Sequence, residues 1–145
     1  MAMSNIELFD EFTAAALAKL YESFPRKIGV DARILAGVDS VNEFGFIVDE
    51  NGNPSMRFEI ARATLEWLSE TGYIRCTSTN QLGLNSAVLT PMGLSVLKAT
   101  PTSIKPGETI GERLVRFAKD GSVALAKETA KSAIAAGVSM GLGAG

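Results

Sequence analysis

Apolar residues recur along this chain at two different spacings, and the change from one to the other divides it into elements. Over residues 6–23 they fall at Leu8, Phe12, Ala15, Leu17, Leu20 and Tyr21, broadly one side of a helix. Ser4 and Glu7 have capping-box spacing at its start, and Pro25 ends it. A second helical stripe, Phe58, Ala61, Leu65 and Leu68, lies within residues 53–71, and Trp67 falls beside it and widens the apolar face. Asn53-Pro54 supplies a cap and a first-turn proline for this helix, Ser55 a second cap one register later, and Gly72 a left-handed stop. Residues 73–78 are then rich in strand formers, 79–86 are polar with Gly83 and read as a hairpin loop, and 87–89 return as a strand. Thr90-Pro91 repeats the cap-and-proline signal ahead of Met92, Leu94, Val96 and Leu97, and Thr100-Pro101 stops that helix.

The remaining segments carry weaker patterns. Asp31 caps a short helix over residues 32–36 with Gly37 as its stop, and Phe44, Phe46, Ile47 and Val48 form an apolar run of strand character. Residues 101–107 read as a linker. Thr109 and Glu112 again have capping-box spacing, before a helix with Ile110, Leu114, Val115, Phe117 and Ala118 on its apolar side. Asp120-Gly121-Ser122 interrupts that helix, as a kink or as the start of a second helix capped by Asp120 or Ser122. The sum is an α+β chain, mainly α with a small antiparallel β-hairpin. Residues 1–100 form the domain, and 101–145 a linker and helical tail ending in Gly and Ala.

The phrase EWLSETGYIRC, a hairpin, and then AVLTPMGLSVL resembles the core of winged-helix domains. In that family a recognition helix ends in glycine, two strands form the wing, and a last helix often opens with Leu-Thr-Pro-x-Gly-Leu. Leu89-Thr90-Pro91-Met92-Gly93-Leu94 matches that opening. The resemblance covers residues 53–99, with 6–23 as the first helix. It implies a winged-helix core with a C-terminal helical extension, a fold that serves DNA binding, RNA binding and protein contact. The connection between the short helix and the recognition helix is longer than in a standard helix-turn-helix.

Composition narrows the choice. At 145 residues, 46% hydrophobic and 21% charged, the chain is globular and long enough for one substantial core. A net charge of −2 opposes a dedicated nucleic-acid binder. The basic residues that would meet phosphate are Arg26, Lys27 and Arg33 around the short helix, Arg57 and Arg62 on the recognition helix, and Arg75 on the wing strand. The exposed side of the recognition helix would show Arg57, Glu59, Arg62, Ala63, Glu66, Ser69 and Glu70, two basic residues against three acidic ones. The face of the first helix carrying Glu7, Asp10, Glu11 and Glu22 reads as solvated.

Catalytic chemistry finds no footing. The absence of histidine removes the commonest general base and the commonest zinc ligand. One cysteine, Cys76, forms no internal disulfide and suits a reducing compartment. The run from Asp49 to Pro54 opens like a calcium loop but has Pro54 where the sixth position requires Gly and Ile60 where the twelfth requires Glu, so Asn51-Gly52 reads as a turn. No cofactor or metal is expected. With neither a leader nor a run of about 20 apolar residues, a cytoplasmic, soluble chain is expected.

The tail holds one further pattern. Ala133, Gly137, Gly141 and Gly145 are spaced by four and would line one side of a helix, where small residues let two backbones approach closely. Three readings stand: a helix–helix contact in a homo-oligomer, docking on the chain's own domain, or a frayed end. The sequence thus points to a protein-interaction or regulatory module that self-associates, with a DNA-binding transcriptional regulator as the alternative.

Overall fold

The computed structural model describes residues 3–100 and 107–140. Among them six helices surround a small antiparallel sheet, an α+β arrangement. No helix there is long and apolar enough to cross a membrane.

Helix α1 (Asn5–Ser23) is the element on which the others pack. Both capping-box bonds form: the Glu7 amide donates to Ser4 Oγ at 3.1 Å and the Ser4 amide to Glu7 Oε1 at 3.2 Å. Leu8, Phe12, Leu17 and Leu20 are buried as the stripe requires. The expected solvated face holds at Glu7 and Glu22, which are exposed, and fails at Asp10 and Glu11. Asp10 is only 5% exposed, Glu11 bonds Arg57, and Glu7 and Glu22 pair with Lys127 and Lys119. Helices packed on two sides of α1 leave it little free surface.

Strand β1 (Ile28–Asp31) has no sequence signature, because four residues with one buried side chain, Val30, are too short to alternate legibly. It leads into α2 (Ala32–Ala36), whose Asp31 cap accepts the Arg33 amide at 2.8 Å and whose left-handed Gly37 ends it as expected. The apolar run after α2 forms no strand. Asn42 Oδ1 accepts from the Phe44 and Phe46 amides, and Asp49 Oδ1 from the Asn51 and Asn53 amides, folding 41–54 into two turns closed by isolated bridges. Phe44 and Phe46 are left exposed.

Helix α3 (Met56–Glu70) starts at the later of its two caps. Ser55 Oγ accepts the Phe58 amide at 3.2 Å, while Pro54 is held in a bridge to Val48. Strands β2 (Ile74–Arg75) and β3 (Ser78–Asn80) follow, and both pair with β4 (Gly83–Leu89), which also pairs with β1 on its other side. The hairpin loop is therefore two residues, not eight. Asn80 Oδ1 accepts the Leu82 and Gly83 amides at 2.7 and 3.0 Å and closes the turn. A side chain at Gly83 would stand 2.0 Å from the Val30 carbonyl oxygen, so glycine there lets β1 and β4 meet.

The Thr-Pro-Met-Gly sequence opens α4 (Pro91–Lys98) by a specific mechanism. Thr90 Oγ1 accepts the Gly93 amide at 2.9 Å and donates to the Gly72 carbonyl. A Cβ at Gly93 would lie 2.0 Å from the Tyr73 carbonyl oxygen, so glycine seats α4 directly on the Tyr73 backbone just ahead of β2. Helix α5 (Ile110–Asp120) has its capping box, and left-handed Gly121 ends it. The interruption is thus a break between two helices. The second, α6 (Val123–Ser139), follows Ser122, which makes no side-chain cap bond. Ile110 and Leu114 of α5 and Ala130 and Ala133 of α6 are buried in the same core as α1.

Tyr73 ties these layers together. It is 1% exposed, its ring stacks on Trp67 at 6.0 Å, and its hydroxyl donates to the Ile134 carbonyl of α6 at 3.0 Å. Burial holds its phenol above the ordinary tyrosine pKa. Gly137 leaves the space for that hydroxyl, since a Cβ there would be 2.2 Å from it. Gly93→Ala and Gly137→Ala are each expected to cost about 2–3 kcal/mol in chemical denaturation. Gly121→Ala, in open space but left-handed, should cost about 1 kcal/mol. Equal losses at all three positions would show that close approach to Tyr73 is not what the first two glycines provide.

Candidate functional site

Three of the six basic residues expected at a phosphate surface are engaged within the chain. Arg33 grips Asp31 in a two-point pair, Nη2 to Oδ2 at 2.7 Å and Nε to Oδ1 at 3.1 Å. The guanidinium holds the Asp31 carboxyl below the usual carboxylate range. Arg57 bonds Glu11 of α1 at 2.6 Å and the Ala36 carbonyl of α2 at 3.0 Å, with its guanidinium 5.1 Å from the Phe12 ring centroid. It acts as a bracket between three helices. Arg62 donates to the carbonyls of Gln81 and Asn80, both at 3.0 Å, and pairs with Glu66. It holds the hairpin tip against α3.

Arg26, Lys27 and Arg75 are exposed and pair with no carboxylate among the described residues. Ile28 lies opposite Ala87 and Arg75 opposite Val88, on the two sides of β4. Arg26 and Lys27, just ahead of β1, and Arg75 on β2 therefore flank one end of the sheet.

The small-residue stripe of α6 meets its own chain. Ala133 is fully buried and Gly137 abuts the Tyr73 ring, so neither offers a free surface to a second copy. Gly141, Gly145 and the 101–106 part of the expected linker lie outside the described residues.

An apolar depression that the sequence did not reveal runs between α1 and α3, with a volume of about 420 Å³. Ile6 and Phe9 line one side, and Ile60, Ala63 and Trp67 the other. Ile6 is 70% exposed and Trp67 40%. Trp67 meets Phe9 edge to face at 5.2 Å, which fixes the floor. Thr64, also at the groove, has its hydroxyl bonded to the Ile60 carbonyl at 2.7 Å. Trp67 beside the α3 stripe was the available signal. Ile6 and Phe9 escaped because they fall off the side of α1 that carries its main core. No group of three or more Cys, Asp or Glu side chains gathers at metal-binding distance among the described residues.

Asp10 is the one buried carboxylate. Loss of solvent pushes its pKa up, against the pull of Lys131 and Lys127 on α6. A folded-state pKa above the unfolded one destabilises the fold as pH rises through that window, starting near the ordinary Asp value of about 4. Asp10→Asn is therefore expected to be more stable than the parent at pH 7 and to lose that advantage below about pH 4, as read by denaturation midpoints at both pH values. An advantage unchanged with pH would refute this. Comparison of the chain with protein-family models, with curated proteins and with solved structures returns no match.

Proposed function

We propose that this chain is a non-enzymatic winged-helix module that works by protein contact, in a regulatory or assembly role, and that it self-associates. The element order supports the fold reading. A helix, a strand, a short helix, a longer helix and a hairpin follow in turn, with β1 and the hairpin sharing the central strand β4. Thr90, Pro91 and Gly93 each have a physical task in the Leu-Thr-Pro-x-Gly-Leu opening, namely cap, first turn and close approach to the Tyr73 backbone. The 37–55 connection, with its two Asx turns, departs from a tight helix-turn-helix.

The observation that carries protein contact over DNA is the state of α3. Its two arginines face inward to Glu11, the Ala36 carbonyl and the hairpin tip, while Glu59 and Glu70 stay exposed. A helix entering a groove between phosphates needs the reverse arrangement. Because α6 is occupied by Tyr73 at Gly137, self-association would use another surface. The DNA-regulator alternative keeps Arg26, Lys27 and Arg75 at the end of the sheet as its support.

Two measurements test the proposal. Titration of random-sequence duplex DNA at low salt is expected to give no binding. Binding whose logarithm falls steeply with the logarithm of salt would overturn the reading, because that slope counts phosphates neutralised. Sedimentation of the full chain is expected to show a dimer or larger species that dissociates on dilution, and a strict monomer would remove self-association.

A further inference from the structure

We propose that the groove between α1 and α3 is a docking site for a basic amphipathic helix of another protein. This deepens the protein-contact reading and rests on it. The groove's α3 wall is periodic. Ile60, Ala63 and Trp67 stand at i, i+3 and i+7, one stripe along the helix. At 1.5 Å per residue the stripe is roughly 10 Å long, about two turns of a helical ligand. Ile6 and Phe9 of α1 form the opposite wall, so the occupant would lie in a channel between two helices. Apolar anchors at helical spacing fill such a channel, and no strand edge there invites an extended peptide.

Charge sets the chemistry of the occupant. Advancing α3 at 100° per residue places Glu59, Glu66 and Glu70 in a row along the solvent side of the apolar stripe. Glu66 shares its charge with Arg62, whereas Glu59 and Glu70 are exposed and pair with no cation among the described residues. An apolar channel edged by carboxylates is complementary to a helix with an apolar face and a lysine- or arginine-rich flank. It repels phosphate. It also disfavours a second copy of this chain, because a two-fold contact through this face would bring the two carboxylate rows together. The self-association proposed above would therefore leave this groove open.

The chain supplies its own reporter, since Trp67 in the groove is its only tryptophan. The probe is a tryptophan-free 14-residue peptide of Leu and Lys in helical pattern, with a Leu and Glu peptide of the same pattern as its control. The Leu/Lys peptide is expected to shift Trp67 emission to the blue, saturably, and the Leu/Glu peptide to leave it unchanged. Two variants separate the contributions, both at exposed positions: Glu59→Gln with Glu70→Gln, and Ile6→Asp. Each is expected to weaken Leu/Lys binding about fivefold or more while the melting curve stays that of the parent. No shift with either peptide, equal affinity for both, or binding untouched by either variant would overturn the proposal. If the Leu/Lys peptide is not bound while the chain still self-associates and ignores DNA, the groove assignment falls and the protein-contact reading survives. Binding of duplex DNA at low salt would take both down.

Discussion

Tyr73 needs room, and the space around it sets the identity of several residues distant in sequence. Its ring lies on Trp67, its carbonyl faces Gly93, and its hydroxyl reaches across Gly137 to the Ile134 carbonyl. A buried phenol left without an acceptor would cost about 1–3 kcal/mol, so the bond to α6 is a condition for burying the ring at all. The two glycines remove the Cβ atoms that would otherwise occupy its volume. α4 therefore sits against the Tyr73 backbone and α6 closes over the core because one side chain can be accommodated and satisfied between them. The C-terminal helices are in this sense part of the same folded body as the helix–hairpin unit they follow, and the Leu, Ile and Ala side chains they bury into the α1 core say the same.

The sequence made legible the elements with punctuation. Ser4 with Glu7, Thr109 with Glu112, Asp31 with Gly37, and Thr90 with Pro91 each have a local reason to cap or stop a helix, and each does so in the structure. Strand β1 stayed hidden because it has no pattern of its own: its place is set by β4, more than 50 residues later. The hairpin loop reads as too long because Asn85 and Ser86 are polar, yet both lie within the central strand β4, where the exposed Asn85 side chain bonds Asn80 and Ser78 across the β3 pairing. Phe44, Phe46, Ile47 and Val48 are the reverse case, an apolar run whose Phe44 and Phe46 amides are claimed by the Asn42 side-chain oxygen and whose Val48 amide is claimed by the Ser40 carbonyl instead of by a neighbouring strand.

For the candidate site the difficulty was one of kind. Counting charges found six cations, but a count cannot tell an arginine that waits for a ligand from one that braces the fold. Arg57 and Arg62 brace it, and their partners are backbone carbonyls and a carboxylate on other elements, invisible in a linear reading. Once those are set aside, the solvent side of α3 is acidic and apolar. The groove beside it depended on Ile6 and Phe9, which become neighbours of Trp67 only when α1 and α3 cross.

The clamp on the hairpin tip has a consequence for how this protein can vary. Arg62 holds Asn80 and Gln81 by their carbonyl oxygens, which every amino acid has. Gln81 can therefore drift freely over generations without loosening the tip. The position under constraint is on the helix, where a lysine would present one compact ammonium in place of a planar fork that reaches two carbonyls and Glu66 together. In such an arrangement Gln81 is the permissive part of a tip otherwise set by the Asn80 side chain and Gly83, and part of the memory of its shape is kept elsewhere in the chain.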